Sequence, residues 1–318
     1  MTHFRHPKLQ EQRLVLHGEY VVADPQDMAG QWRNLMPKSE GLCVDVGCGK
    51  GLWTTQAARM WENMLFVGVD YERMCISFAA EQAAVGGVAS SGWAKSAEDG
   101  YVAPQNLRFA EASAMQLDTI FEPEEIDHLF LNYPTPFPRK KETAKRIVNA
   151  EHLVKYAQLL APCGMLHFKT DSQPLFDYAL DQLKLACFNV VALTRDLYSA
   201  TSPESAAFTS VEKLPSAYER KTLMRGAKIH ALQAVVDREA YENLAGNSGN
   251  DQEIQASQAP QPSAPQSPYS QLVEPKSLYD YLPDNLDEVT YVPLGMENAL
   301  TNMRNRRNRG HGGVWGQQ

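Results

Sequence analysis

The chain has 318 residues, 43% of them apolar and 21% charged, enough for a sizeable core in one large domain or two. Its net charge is -8, from 30 Lys and Arg against 38 Asp and Glu, so any nucleic-acid contact must use a local basic patch. No apolar stretch approaches the ~18 residues of a bilayer span, and the opening MTHFRHPKLQEQRL has no apolar h-region, so neither a membrane nor an exported location is expected.

Residues 1–245 carry regular apolar periodicity. Leu42–Val46 is a short apolar run before glycines, the signature of a buried strand, and Leu52–Trp61 reads as a helix. Leu65–Val69 is a second strand and Tyr71–Ala84 a second helix. Val85–Tyr101, rich in Gly, Ala and Ser, reads as an insertion or a loose helix. Leu107–Phe109 and Ile126–Leu131 are the third and fourth strands, followed by a helix over Ile147–Leu160. A turn at Pro162–Gly164 leads to a fifth strand, Met165–Lys169, and a helix, Pro174–Leu185. Asn189–Thr194 and Lys228–Val236 complete seven strands. Such alternation predicts an α/β, Rossmann-like parallel sheet with helices on both faces. Ligands bind such sheets beyond the carboxyl ends of the strands, where strand order reverses.

Residues 246–271 are a Gln/Ser/Pro/Ala mixture that cannot bury enough apolar area to offset its ordering entropy, so a disordered linker is expected. Residues 272–318 read as a disordered C-terminal extension, with Tyr279, Tyr281 and Tyr291 in a stretch that either docks or does not. Its end carries Arg304, Arg306, Arg307 and Arg309 with Gly310, Gly312 and Gly313, either a tethered RNA-binding arm or a solvated end. Cys43, Cys48, Cys75, Cys163 and Cys187 form no C-x-x-C pair. They read as reduced thiols of a cytosolic protein, and with eight scattered histidines they imply no metal.

After the first strand comes Asp45-Val46-Gly47-Cys48-Gly49-Lys50-Gly51. Alternate glycines let backbone approach a ligand closely, and the next helix offers free N–H groups. Lys50 is followed by Gly51 rather than Ser or Thr, so this is no P-loop. An acid before the loop suits a cationic ligand better than a pyrophosphate, and S-adenosylmethionine (SAM) carries both an ammonium and a sulfonium. Asp70 ends the second strand 23 positions after Gly47, near the spacing at which a carboxylate grips ribose hydroxyls. A nicotinamide oxidoreductase is disfavoured by the glycine spacing.

After the fourth strand the chain reads Asn132-Tyr133-Pro134-Thr135-Pro136-Phe137-Pro138-Arg139-Lys140-Lys141, then Glu142-Thr143-Ala144-Lys145-Arg146. Three prolines stiffen a loop at the mouth of the cofactor site, and five basic side chains beside it can hold polynucleotide phosphates. From about residue 5 to 236 the chain resembles the bacterial tRNA (guanine-N7)-methyltransferase family, a class I SAM-dependent fold. Arg5-His6 resembles its basic N-terminal arm, Gly30-Gln31-Trp32 its G-x-W, and Asp45–Gly51 and Asp70 its cofactor motifs. Tyr133–Val148 resembles its proline loop, Phe168-Lys169-Thr170-Asp171 its Thr-Asp pair, and Ser216-Ala217-Tyr218-Glu219-Arg220-Lys221 its Thr/Ser-x-Tyr-Glu segment.

The resemblance implies SAM as cofactor, tRNA as partner and guanine 46 as target. It assigns cofactor binding to Asp45, Gly47, Gly49, Gly51, Asp70, Ser113 and Thr135. It assigns substrate binding to Arg139, Asp171, Ser216, Ala217, Tyr218 and Glu219, and catalysis to Thr135 and Asp171. Two positions depart from the pattern. Ser113-Ala114 stands where an Asp-Ala pair reads adenine, with Glu111 a partial substitute, and Thr135 replaces the aspartate between the loop prolines. These departures leave two alternatives open: a catalytically silent RNA-binding module, or a methyltransferase of another base. Asn132-Tyr133-Pro134 bears a superficial likeness to the N-P-P-aromatic loop of exocyclic-amine methyltransferases, but its first Pro is absent. Deleting 246–318 is expected to leave folding intact while weakening tRNA affinity and its salt dependence.

Overall fold

The computed structural model describes residues 7–86, 100–255, 269–293 and 295–308. Its elements are α1 (Pro7–Leu16), β1 (Val21–Val22), β2 (Gly41–Val46), α2 (Leu52–Met60), β3 (Met64–Asp70) and α3 (Arg73–Val85). They continue with β4 (Leu107–Glu111), β5 (Ile126–Asn132), α4 (Ala150–Leu159), β6 (Leu160–Thr170), α5 (Gln173–Leu185) and β7 (Phe188–Thr194). The last are α6 (Ala217–Met224), β8 (His230–Val236), α7 (Arg238–Gln255) and α8 (Glu297–Asn308).

The strands form one sheet in the order β1-β4-β3-β2-β5-β6-β8-β7. Pairing is parallel as far as β6, and β8 runs antiparallel to both β6 and β7. This is the class I methyltransferase sheet. Every position of β2 is buried, as a central parallel strand covered on both faces requires. Strand order reverses between β2 and β5, whose carboxyl ends therefore open the ligand crevice. In register there, Asp45 lies opposite Gly68 on one side and Phe130 on the other. A Cβ on Gly68 would sit 2.6 Å from the Phe109 ring, so only glycine fits beneath that ring.

All seven expected strands are present, and two-residue β1 adds an eighth beside β4. Pro162–Gly164, expected as a turn, lies inside β6 as a bulge. Leu160 pairs with Ile126 and Met165 with His128, so residues 161–164 leave the ladder without ending the strand. Helix α7 runs through Gln255, beyond the boundary expected at 245.

The expected disorder of the C-terminal extension does not hold for its described residues. Leu278, Leu286, Met296 and Leu300 are buried in the same apolar cluster as Leu166, Phe168 and Leu175 of β6 and α5. The Tyr281 hydroxyl donates to Asp181 Oδ2 at 2.9 Å, and its ring meets Tyr178 edge-on at 5.9 Å. Deleting 246–318 would uncover this core, so intact folding is no longer expected. Arg5 and His6, residues 87–99 of the expected insertion, 256–268 of the expected linker, and Arg309 onward lie outside the described residues, as do the side chains of Arg306 and Arg307. Among the described residues no helix is long and apolar enough to cross a membrane.

Candidate active site

The loop after β2 takes its shape from its glycines. Gly47, Gly49 and Gly51 have φ of +78, +56 and +70°, the left-handed region that favours glycine. The three serve different ends. A Cβ on Gly47 or Gly49 would meet nothing within 4 Å, whereas one on Gly51 would lie 2.7 Å from Ala79 Cβ and 2.8 Å from the Phe109 ring. Gly51 is thus a packing glycine, while Gly47 and Gly49 expose backbone to an open cavity of about 1170 Å³.

Asp45 lines that cavity yet is 2% exposed. Its Oδ2 accepts from Thr54 Oγ1 at 2.6 Å and its Oδ1 from Asn132 Nδ2 at 3.1 Å, across the switch point. Burial raises its carboxyl to about pH 6, against the pull of those two hydrogen bonds and of Lys169. Asp70 braces the loop from the next strand. Its Oδ2 accepts from the Gly49 N–H and its Oδ1 from the Glu72 N–H, both at 2.9 Å. Each oxygen keeps a second lone pair. Ser113 caps the 3₁₀ turn Ala114–Thr119 through the Met115 N–H, and Glu111 is paired with Arg73 at 2.9 Å. Asp70, Ser113 and Gly51 stand outside the cavity wall.

Opposite the glycine loop, the segment after β5 is held in a strained form. Tyr133 and Phe137 have φ of +54 and +44°, a conformation costing about 1–3 kcal/mol per non-glycine residue. Arg146 holds it in place. Its guanidinium is fully buried and donates to the carbonyls of Phe137 at 2.8 Å, Arg139 at 3.2 Å and Lys276 at 2.9 Å. It is therefore a structural pin, and only Arg139, Lys140, Lys141 and Lys145 of the expected basic cluster face solvent. Thr135 is exposed and lines the cavity with Tyr133, Phe137 and Arg139.

Asp171 follows β6 and also lines the cavity. Helix α5 is capped by its neighbour Ser172, which leaves the Asp171 carboxylate for other work. The Tyr218 and Tyr291 hydroxyls donate to its Oδ2 at 2.9 and 2.6 Å. Ser216 and Ala217 complete that wall.

Glu219 does not. It is fully buried, and its carboxylate accepts from Lys169 Nζ at 2.9 Å, from the Ser216 N–H at 3.1 Å and from the Tyr198 hydroxyl. It caps α6 and neutralises Lys169, so the expected contact with substrate is corrected to a structural role. Lys169, 4% exposed, also donates to the carbonyls of Glu212 and Leu214, and burial pushes its pKa down. Gly30-Gln31-Trp32 is likewise structural: Trp32 is fully buried, with its indole N–H on the Ile120 carbonyl at 2.6 Å.

Three walls of the cavity are thus the glycine loop, the proline loop and the Asp171–Tyr218 face. The fourth comes from the C-terminal segment, through Tyr279, Pro293, Gly295 and Met303. Sequence reading missed Lys169, Tyr291 and this wall.

A cavity at the switch point of this sheet, with a bare glycine backbone and a carboxylate beside it, is the architecture of a class I methyltransferase. The family model described as "Putative methyltransferase" matches residues 39–232, and the chain belongs to that family. It is 27% identical over 225 residues to the tRNA (guanine-N(7)-)-methyltransferase of Lachnoclostridium phytofermentans, covering 71% of this chain and 94% of that one. It is 29% identical over 210 residues to the enzyme of the same name from Levilactobacillus brevis, covering 66% and 87%. Among solved structures, an antibiotic-related methyltransferase superposes with a TM-score of 0.47 at 15% identity, covering 69% of this chain and 96% of that one.

Proposed function

We propose that this protein transfers a methyl group from SAM to guanine N7 in tRNA, at position 46 by family resemblance, in the cytoplasm. The observation that carries the reading is the single cavity that joins the open glycine backbone and Asp45 to Asp171 and the proline loop. The names of the similar proteins point the same way. Residues 1–245 and the docked part of 269–308 then act as one unit.

The cavity suits the cofactor. Gly47 and Gly49 face open space that a side chain would fill, and Asp45 offers a carboxylate to an ammonium. The spare lone pairs of Asp70 suit ribose hydroxyls without loss of its hold on Gly49. SAM supplies an electrophilic methyl on a sulfonium. Guanine N7 already has a lone pair, so no proton leaves the attacking atom and the chain needs no general base there. The work left to the protein is placement and electrostatic fit, worth several kcal/mol in such sites. Asp171 accepts from the N–H groups of the base, Ser216 donates its hydroxyl, Tyr218 orients Asp171, and Arg139 holds a phosphate. Thr135 positions base or cofactor as a neutral group. A neutral hydrogen bond contributes ~0.5–1.5 kcal/mol where a charged one contributes ~1.5–3, so about a tenfold slower reaction is the expected cost of lacking the acid.

The test is methyl transfer from labelled SAM to an unmodified tRNA transcript, read by nucleoside mass spectrometry. The expected result is 7-methylguanosine, lost in Asp171→Ala. SAM binding without transfer to any tRNA would overturn this reading in favour of a silent RNA-binding module.

A further inference from the structure

The far wall of the cavity comes from a part of the chain outside the family match, which ends at residue 232. The C-terminal segment is anchored at both ends of its path. Early in the path, Leu278 is fully buried and its N–H donates to the Pro138 carbonyl at 3.0 Å. Thr143 Oγ1 and Arg146 Nη1 both donate to the Lys276 carbonyl, at 3.0 and 2.9 Å. Late in the path, Met296 is fully buried against Ser172, and Leu300 is 1% exposed. Arg304 ties α8 back to the carbonyls of Leu286 and Val289. These are core contacts, not those of a loosely laid strap.

Between the anchors stands Tyr291. Its hydroxyl reaches Asp171 Oδ2 at 2.6 Å, shorter than the Tyr218 bond to the same atom. Both phenols donate to one oxygen, and among the described residues no donor reaches the other, Oδ1. Burial, and then the bond to Asp171, push the Tyr291 phenol well above its ordinary pKa, so it stays a donor. The Arg225 guanidinium lies 5.9 Å from its ring centre.

We propose that Tyr291 is a positioning residue for Asp171, fixing the carboxylate so that Oδ1 accepts from the Watson–Crick edge of the target purine. The proposal rests on the methyltransferase reading above. A carboxylate held by two phenols on one oxygen cannot rotate freely, so its other oxygen is already aimed when the base arrives. The amino group at C2 separates guanine from hypoxanthine, and an acceptor aimed at that edge distinguishes them because an unmatched polar group in a closed site is costly.

The test compares full-length wild type and Tyr291→Phe on two tRNAs, one with guanosine and one with inosine at the methylated position. Thermal melting confirms that both proteins are folded. The expected outcome is an unchanged KM for SAM and a roughly tenfold lower kcat/KM for the guanosine tRNA, the loss of one hydrogen bond to a charged group. The preference for guanosine over inosine falls by a similar factor, an effect that a merely structural role would not produce. An unchanged preference overturns the proposal, as does a faster Tyr291→Phe enzyme, which would mark the phenol as an obstruction. A wild type that makes no 7-methylguanosine overturns the methyltransferase reading, and the proposal with it. A wild type that does, beside an indifferent Tyr291→Phe, overturns the proposal alone.

Discussion

Asp45 makes cofactor binding sensitive to pH in a direction fixed by its surroundings. Its carboxyl is 2% exposed, and burial raises its pKa from 3.8 to about 6. Two units correspond to ~3 kcal/mol by which the folded, ligand-free protein disfavours the anion. Because the folded pKa exceeds the unfolded one, this contribution to stability is full below about pH 4 and lost as pH rises through about 6. An ammonium beside the carboxylate reverses the balance, so binding the cofactor expels the proton. Calorimetry of SAM binding between pH 7.5 and 5 should show a constant Kd above about pH 7. Below about pH 6, Kd should rise up to tenfold per pH unit, leaving it about tenfold weaker at pH 5. Asp45→Asn should bind weakly with a flat profile. Thr54 can turn its hydroxyl to accept from the new amide, so the fold survives. A wild-type Kd that moves less than about twofold over this range, or an Asn variant with the wild-type slope, would refute the role given to Asp45.

Leu278→Ala should lower stability by about 2–5 kcal/mol, since the side chain is fully buried in the shared core. At about 2–4 °C per kcal/mol the melting midpoint drops by roughly 4–20 °C, where a loosely attached tail would leave it unmoved. Lys169→Met strands the Glu219 carboxylate in the interior and should cost about 3–5 kcal/mol in denaturant unfolding. The pair Lys169→Met with Glu219→Leu should recover most of that loss. Replacing Lys140, Lys141 and Lys145 by Ala should reduce the slope of log Kd for tRNA against log salt by about 2–3, with the melting midpoint unchanged. Arg146→Ala should instead lower the midpoint, because its guanidinium holds the backbone carbonyls of Pro136, Phe137, Arg139 and Lys276.

The sheet was legible because buried parallel strands leave apolar runs, and β2, β3 and β5 fall within one residue of where those runs stand. The crevice was legible because it follows from strand order and the glycine loop. Side-chain roles were harder to read. Glu219 stands three residues after Ser216, which is equally the spacing of a capping box, and the structure uses it that way. Arg146 looked like one more cation in a basic run. Its burial depends on carbonyls of Phe137 and Lys276, and the latter is 130 residues away. Lys169 was hidden in the same manner, since a strand pattern shows which face a residue takes but not that Glu219 waits there. Whether the C-terminal segment docks was not decided by its sequence, because its apolar residues are sparse. Leu278, Leu286, Met296 and Leu300 form no face of their own and make sense only against β6 and α5.

Shared packing between β6 and the C-terminal segment sets an order of events during synthesis. Once β8 has emerged the whole sheet can close, and the glycine loop with it. The Phe137 turn still lacks the Lys276 carbonyl opposite Arg146 until 40 further residues have been made, and Asp171 still lacks Tyr291 until 55 have. At translation rates of about 5–20 residues per second, that interval lasts several seconds. A partly made chain therefore has the complete sheet but a cavity open on one side, and the finished site waits for a segment made after the sheet is complete.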